Sequence, residues 1–467
     1  MNTSDCPFHT KPSSSAPVHP VGVWPPGPAV GLTGWSLLQR MSRDLFGTLS
    51  AWQHEFRDVV HVPIWPEHQI VLTDPQLVRE LLVIHHKSLV RWERGLDVFT
   101  RLEGQSVFTT EGETWQQKRH ALHPSFSLQS MQTFIPTIVE AMSKALAQWP
   151  KQARSWPIES ALTSLTMDVI MRMLFSSEIG ADARQAEQAV HTLLVYTNAE
   201  LYWPASWPDW MPWKRSKRKA LHLLQSLIAR HVQARLQLPD DTWPDDMLSR
   251  LLYLHRQQPE VWSLQAICDE CITSFIAGHE TTAATLTWWA WCMAANPEVQ
   301  DQARQEVQQV LQGQKPTADK LPALESVAQT LKETLRLYPT APVLFTRRST
   351  QPITLGGWQL PARTLFAIPV YLLHQDARWF ANPQAFQPER FGQSAADIPR
   401  GAYLPFGIGP HVCLGQHLAL TEMTVIAAMF LQHFRLSVPE GMTVPQPVLN
   451  VSLRPSQPLR LQVDVTS

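Results

Sequence analysis

Charge is scarce in this sequence. Asp, Glu, Lys and Arg make up only 17% of the residues, against about a quarter in ordinary soluble domains. With 44% apolar residues and 19 tryptophans, that scarcity calls for a large interior, which a chain of 467 residues can enclose. The formal net charge of -1 supplies no global field to attract nucleic acid, so no nucleic-acid partner is expected. Cysteine is scarce too. The five present, Cys6, Cys268, Cys271, Cys292 and Cys413, are too few and too scattered for a disulfide framework and read as thiols of a reducing compartment. Cys268 and Cys271 have the C-x-x-C spacing, but they lie in a long apolar helical pattern without a second pair, which favours buried structural thiols over a metal or redox site.

An apolar leader is also missing. The first stretch, MNTSDCPFHTKPSSSAPVH, is polar and rich in Pro and Ser, which predicts a disordered tail over residues 1–28 and neither a signal peptide nor an N-terminal membrane anchor. The prolines of PVGVWPPGPAVGL favour an extended, stiff segment laid on the surface where ordered structure begins. A length prior of about three domains meets no interior linker and no internal repeat. One run, CITSFIAGHETTAATLTWWAWCMAA from Cys271 to Ala295, is long and poor in charge. A membrane span would hold His279 and Glu280 near the bilayer centre at considerable cost, whereas a buried helix can turn them towards a functional cavity.

What is present is mostly helical periodicity, with β patterns in two places. VVHVPIWPEHQIVLTDPQLVRELLV reads as a hairpin whose Thr73, Asp74 and Pro75 then start a helix. ITLGGWQLPARTLFAIPVYLL reads as a second hairpin turning at Gly356 and Gly357, followed by a buried strand. The segments ALHPSFSLQSMQTFIPTIVEAMSKALAQW, KRKALHLLQSLIARHVQARLQ, VQDQARQEVQQVLQG and LESVAQTLKETLRLYP carry helical periodicity.

The chemistry centres on LPFGIGPHVCLGQHLAL, which sets Cys413 among Gly407, Gly409 and Gly415 just before a helical pattern. A helix N-terminus after Cys413 aims free N–H groups at the sulfur and favours its anion, while the glycines remove side chains where a flat cofactor needs close backbone approach. Phe406 is placed to shield the sulfur. A zinc site of Cys413, His411 and His417 is a competing reading, and a glycine-rich turn around a buried thiol is the plain one.

Phe406-x-x-Gly409-x-His411-x-Cys413-x-Gly415 resembles the haem-binding signature of the cytochrome P450 superfamily. The resemblance implies that Cys413 is the thiolate ligand of haem iron, which favours O–O cleavage, and that His411 donates a hydrogen bond to a haem propionate. Other motifs match in the family's order. KETLRLYP with FQPERF supplies Glu333, Arg336 and Arg390, similar to the family's buried structural triad. Trp115-x-x-x-Arg119 offers an indole N–H and a guanidinium to a propionate, and Arg347 or Arg348 in TRRST adds a further contact. AGHETT, Ala277 to Thr282, resembles the oxygen-activation motif. There Ala277 leaves room for dioxygen, and Glu280 and Thr281 take the catalytic, proton-passing roles. LLHQDARWFANPQAFQPERF also resembles the family's segment ahead of the cysteine.

The implied fold is mainly α with small β-sheets: one P450 domain over residues 29–467, with haem b (iron protoporphyrin IX) between the central helix and the Cys413 loop. The implied activity is a monooxygenase that puts one oxygen atom from O2 into a lipophilic substrate, fatty acid or terpenoid/steroid-like. Absence of a flavin or iron–sulfur pattern implies a separate ferredoxin- or flavodoxin-type partner and reductase. A soluble, monomeric, cytoplasmic protein of bacterial type is expected, without an integral membrane anchor. The alternatives are a haem-thiolate peroxide isomerase or peroxygenase and a non-catalytic haem sensor. ELYWPASWPDWMPWKRSKRKAL sets Trp203, Trp207, Trp210 and Trp213 beside Lys214, Arg215, Lys217, Arg218 and Lys219. That combination reads either as an aromatic lid with a basic rim or as a solvated basic helix face.

Overall fold

The computed structural model of the protein describes residues 19–20, 23–31, 33–178, 183–203 and 206–465. The described chain begins with α1 (Trp35–Arg43), α2 (Leu45–Phe56), β1 (Val59–Ile64), β2 (Glu67–Leu72), α3 (Pro75–Arg79), β3 (Leu89–Arg91), α4 (Glu93–Glu103) and α5 (Gly112–Leu122). The helical body follows as α6 (Leu128–Gln148), β4 (Gln152–Trp156), α7 (Ile158–Phe175), α8 (Ala183–Leu201), α9 (Arg215–Leu236), α10 (Met247–Gln257), α11 (Leu264–Ala295), α12 (Pro297–Leu311) and α13 (Glu325–Leu337). The remainder is β5 (Arg347–Ser349), β6 (Ile353–Leu355), β7 (Trp358–Leu360), β8 (Leu365–Ala367), α14 (Val370–His374), α15 (Gln416–His433), β9 (Phe434–Ser437), β10 (Pro447–Asn450), β11 (Ser452–Pro455) and β12 (Leu461–Val465).

Local chemistry explains the two expected hairpins. β1 and β2 pair antiparallel, and Asp74 then caps α3 by accepting from the N–H groups of Gln76 and Leu77, with Pro75 at the first helical position. β6 and β7 turn through Gly356 and Gly357 at φ +57° and +82°, the left-handed pair that a tight hairpin turn needs. β8 is buried and joins a five-stranded sheet of order β1-β2-β8-β5-β3. The expectation of β structure in only two places falls short, because β4-β12-β9 and β10-β11 form further sheets. Their strands are four or five residues long, too short for a period-2 signal to emerge. β4 also meets its partner across the chain, at Trp156 against Leu461.

The run read as a buried helix is the C-terminal part of α11, whose 32 residues span about 48 Å. Among the described residues, no helix is long and apolar enough to cross a membrane. α11 lies against α7, where a Cβ on Gly278 would stand 2.7 Å from the Ile170 side chain. One half of α11 joins a core with α7, α8, α9 and α10, and the other a core with α6, α12, α13 and α15. Cys271 is buried in the first of these cores and Cys268 packs against it, as expected of structural thiols. The architecture is the expected one, mainly helical with small sheets. The expected tail, residues 1–28, lies largely outside the described residues. Within it, Trp24 stacks on His61 and His68 at centroid distances of 4.3 and 4.5 Å.

A buried charge cluster ties α13 to the chain ahead of the Cys413 loop. Glu333 receives Arg336 Nε and Nη2, each at 2.8 Å, and Arg390 Nε at 3.1 Å, with both Glu333 and Arg336 fully buried. Arg336 also donates to the carbonyls of His374, Pro383 and Ala385, at 2.7, 2.8 and 3.2 Å. These bonds satisfy the cation from several directions, which is what makes its burial tolerable. Replacing Glu333 or Arg336 by Ala leaves a charge uncompensated, so each variant should lose about 3–5 kcal/mol of stability. Thermal unfolding and soluble yield measure this. Wild-type values in both variants would contradict a structural role for the cluster.

Candidate active site

The chain from Leu404 to Gly415 folds into a loop that presents Cys413 ahead of α15. Gly407 N–H bonds to Leu404 O at 3.1 Å, Val412 N–H to Gly409 O at 3.0 Å and Cys413 N–H to Phe406 O at 2.9 Å. Gly409 has φ +80°, and a Cβ there would stand 2.4 Å from Leu82 O, so conformation and space both require glycine. Gly415 differs. Its φ of -84° suits any residue and a Cβ would meet no protein atom within 4 Å. The protein itself sets no demand for glycine there, whereas a flat group lying against the loop would.

Cys413 is exposed, yet it sits in a recess with enough protein around it that burial pushes the thiol pKa up. The Gly415 N–H and the Arg119 charge act the other way without reversing the shift. The N–H at the start of α15 thus favours the anion, as expected, but burial opposes it more strongly. A bound metal ion would supply the missing term, since coordination deprotonates a thiol outright.

Around this loop gathers a group of cations. Trp115 of α5 stacks on His411, with centroids 3.9 Å apart, and Arg119 Nη2 donates to Val412 O at 2.9 Å. Arg347 of β5 is buried and bonds to Phe345 O at 2.8 Å. Arg91 of β3, which sequence reasoning did not single out, is also buried and contacts Glu111, Phe108 O and Thr110 O. Burial, then Arg347, Arg91 and Arg119, push the His411 pKa down to about 3. Burial and Arg91 push Arg347 down to about 10, with Glu111 opposing. Three guanidiniums thus share one carboxylate, and the group lacks anions. Its neighbour Arg348 is committed elsewhere, to Glu67 and Glu93, each at 2.6 Å. Of the two candidate arginines, Arg347 is the one that faces this group.

In the middle of α11 the burial pattern is interrupted. Ala277 is exposed and Thr281 half-buried, one turn apart, while His279, Glu280 and Thr282 are buried. Thr281 Oγ1 donates to Ala277 O at 2.8 Å. Leu414, beside Cys413, packs against the core that α11 shares with α7, α8, α9 and α10. Glu280 points elsewhere. Its carboxylate receives Arg454 Nε and Nη2 and Ser452 Oγ, each at 2.7 Å, and Arg454 also holds Glu159 at 2.8 Å. Burial would raise the Glu280 pKa, but Arg454 outweighs it and holds the carboxyl below its usual range. Of the expected site residues, Trp115, Arg119, Arg347 and His411 gather around the Cys413 loop, whereas Glu280 is tied into a buried ion pair with β11. Phe406 packs against the main core through its ring while its carbonyl holds the Cys413 N–H. His417 is exposed. Among the described residues, no group of three His, Cys, Asp or Glu could hold a metal ion, so the zinc reading finds no ligand set.

A family model described as Cytochrome P450 matches residues 25–463. The chain belongs to the cytochrome P450 family. It is 30% identical to cyclooctat-9-en-7-ol 5-monooxygenase of Streptomyces melanosporofaciens, over 93% of this chain and 94% of that protein. It is 31% identical to cytochrome P450 CYP72A616 of Paris polyphylla, over 79% and 75% of the two chains. It is also 29% identical to 11-oxo-beta-amyrin 30-oxidase of Glycyrrhiza uralensis, over 84% and 78%.

As a P450, this protein is a haem-dependent monooxygenase. The residues present fit that group: an exposed thiol just ahead of a helix N-terminus, a glycine with open space above it, and a group of cations suited to propionates. Two features escaped the sequence. Arg91 stands in no motif, and Arg454 lies 174 residues from Glu280, with no local pattern to mark either.

Cys413→His should retain some haem but lose the strongly red-shifted Soret band of the ferrous CO adduct. An unchanged band would remove Cys413 as ligand. Arg347→Ala should speed haem loss to a scavenger protein by about tenfold, as expected for one charge-assisted hydrogen bond, while Arg348→Ala should leave that rate near wild type. Equal rates for the two would refute the distinction.

Proposed function

We propose that this P450 inserts one oxygen atom from O2 into a lipophilic substrate of terpenoid type, with electrons arriving from a separate ferredoxin- or flavodoxin-type partner and its reductase. The observation that carries the reading is on α11, where Ser274, Ala277, Gly278 and Thr281 form a strip that is not fully buried in the middle of a largely buried helix. An accessible small residue followed one turn later by a hydroxyl suits dioxygen chemistry. Haem supplies the iron at which O2 is activated, and its thiolate ligand donates electron density that favours O–O cleavage.

The chain's own residues do the rest. Cys413 serves as the ligand, with the Gly415 N–H and Arg119 favouring its negative charge. Arg119, Arg347 and His411 anchor the propionates, and Trp115 steadies His411 by stacking. Thr281 holds the proton that matters. Its hydroxyl is parked on Ala277 O, and a rotation frees it to accept from water on one side and donate on the other. Glu280 stays ionised beside Arg454, so it can exchange a proton with water only by giving up part of that pairing.

Substrate class is favoured by two features. Phe99, Phe108 and Phe345 pack ring to ring at centroid distances of 5.1, 5.8 and 5.7 Å, next to Arg347, whose side chain bonds the Phe345 carbonyl. Such a wall suits a bulky apolar skeleton. Of the basic rim that would suit the carboxylate of a fatty acid, Lys214 and Lys217 are buried against Glu200 and Asp209, which leaves Arg215, Arg218 and Lys219 exposed. The names of the Streptomyces and Glycyrrhiza relatives fit the same choice.

The role of Thr281 is tested with Thr281→Ala, supplied with surrogate redox partners and a substrate found by screening for changes in the haem spectrum. NADPH consumption should persist while product per NADPH falls and hydrogen peroxide accumulates. Glu280→Gln should instead slow consumption and product together. An unchanged product-to-NADPH ratio in Thr281→Ala would count against proton delivery by this hydroxyl.

A further inference from the structure

Three carboxylic acids converge where α4 ends against α11, and among the described residues one cation pairs with them. Asp269 accepts the Gln105 N–H at 2.7 Å and Gln265 Nε2 at 2.8 Å. Glu270 accepts the Val107 N–H at 2.9 Å and Lys118 Nζ of α5 at 2.8 Å, both on the same oxygen. Lys118 gives a further bond to Gln105 O at 2.8 Å, so its donors are committed. The third acid, Glu103, is the last residue of α4 and only 5% exposed. Among the described residues it forms no ion pair, and its partner is the Thr273 hydroxyl of α11, which donates to Oε2 at 2.9 Å.

Such a site suits a neutral carboxyl. One hydroxyl does not compensate an ion taken out of water, and Glu270 stands near enough to repel a second anion. Burial, with Glu270 adding to it, pushes the Glu103 pKa up to about 8 against the Thr273 bond. Burial also pushes Glu270 up, with Lys118 opposing. The other charged groups of α4 are engaged away from this junction. Arg101 pairs with Asp97 on the helix surface, and at the opposite end Glu93 meets Arg348 while Arg94 donates to Glu200 O of α8. The Cys268 and Cys271 thiols of α11 are pushed up by burial. A glutamine at position 103 would serve a static junction as well. What the acid adds is a proton that it can release.

We propose that Glu103 is a positioning residue whose proton latches α4 to α11, so that α4 and the aromatic wall it carries come away from α11 with release of that proton. Phe99 lies four residues before Glu103, on the same side of α4. Phe108 directly follows Val107, whose N–H Glu270 holds. Both rings of the wall are thus placed by this junction. In water the carboxyl ionises near its ordinary value of 4.5, whereas packed α4 keeps the proton until about pH 8. Between these limits each pH unit favours the released form by about tenfold. The stabilisation is fully present below about pH 4.5 and is lost as pH rises to about 8. A consequence for substrate choice rests on the wall proposed above, whereas the latch itself does not.

The test is amide hydrogen exchange, read by mass spectrometry on the haem-loaded full chain. It needs neither substrate nor redox partner and so is decided separately from the proposed reaction. After correction for the intrinsic effect of pH, protection of peptides spanning residues 93–110 should fall by about tenfold per unit from about pH 5.5 to about pH 7.5. Glu103→Gln keeps the shape and removes the proton. Its protection should be independent of pH over this range and exceed the wild-type value by about tenfold or more at about pH 7.5. Thr273→Val removes the bond that favours the ion, so the fall should continue to higher pH than in the wild type. The proposal is overturned if wild-type protection does not change with pH, if Glu103→Gln shows the wild-type slope, or if Thr273→Val leaves the upper limit of the fall unmoved. A matching fall in peptides of α13 would make the opening global and overturn it equally.

Discussion

Two oppositely charged side chains with no access to water, Glu333 and Arg336, set the constraint on which the site depends. A buried pair of this kind is tolerable only when its remaining hydrogen-bonding capacity is met, so the chain from His374 to Arg390 is obliged to supply carbonyls and a second arginine at fixed positions. The obligation passes onward. Burial, then Arg336, push the His374 pKa down to about 3. The ring is thus neutral, and its Nε2 accepts the Leu404 N–H at 2.8 Å. Leu404 begins the loop that carries Cys413, and its neighbour Tyr403 donates to Lys332 O on α13 at 2.9 Å. The position of the sulfur is thereby referred to a charge pair on another helix.

The cation group shows the same economy with the opposite sign. Around Glu333 the protein satisfies its own charges, whereas Arg91, Arg119 and Arg347 are brought together with only Glu111 among them. Such a group is self-repelling, and this adds to burial in lowering the pKa of His411 and of Arg347. An anionic ligand bound there would relieve the repulsion and so stabilise the folded region. Gly415 and the Cys413 thiol express the same dependence in space and in protonation.

How far the sequence revealed this depends on how local each signal is. The Cys413 loop was legible because its glycines, cysteine and following helix lie within a dozen residues, and the hairpins because a turn and its two strands are contiguous. The Glu333 and Arg336 pair was legible at i, i+3 on one helix face, but its carbonyl acceptors were not, since backbone atoms leave no mark on residue type. Long-range pairs were invisible for the same reason. Nothing in AGHETT announces that Glu280 meets an arginine on a strand near the far end of the chain, and nothing in KRSKRK tells which lysines turn inward. Glu200, on the preceding helix, and Asp209, in the connection between the helices, decide that.

The helix α11 combines these cases, because its residues serve two sides at once. Glu280 and Trp288 tie it to β11, through Arg454 and through the Leu453 carbonyl at 2.9 Å. Glu270 ties it to α5, through Lys118 at 2.8 Å, and to the chain after α4, through the Val107 N–H at 2.9 Å. Lys118 lies between Trp115 and Arg119 in sequence, so one helix carries both the contacts to His411 and Val412 and the bond that ties it to α11. A carboxylate fully committed to Arg454 does not need to enter the cavity to matter there. By pairing with Arg454, Glu280 helps to fix the rotation of α11 about its own axis, and with it which residues of the helix, Ala277 and Thr281 among them, stay outside the packed core. The acid and the threonine thus differ on adjacent positions, the first tied to β11 and the second with its hydroxyl bonded to its own helix.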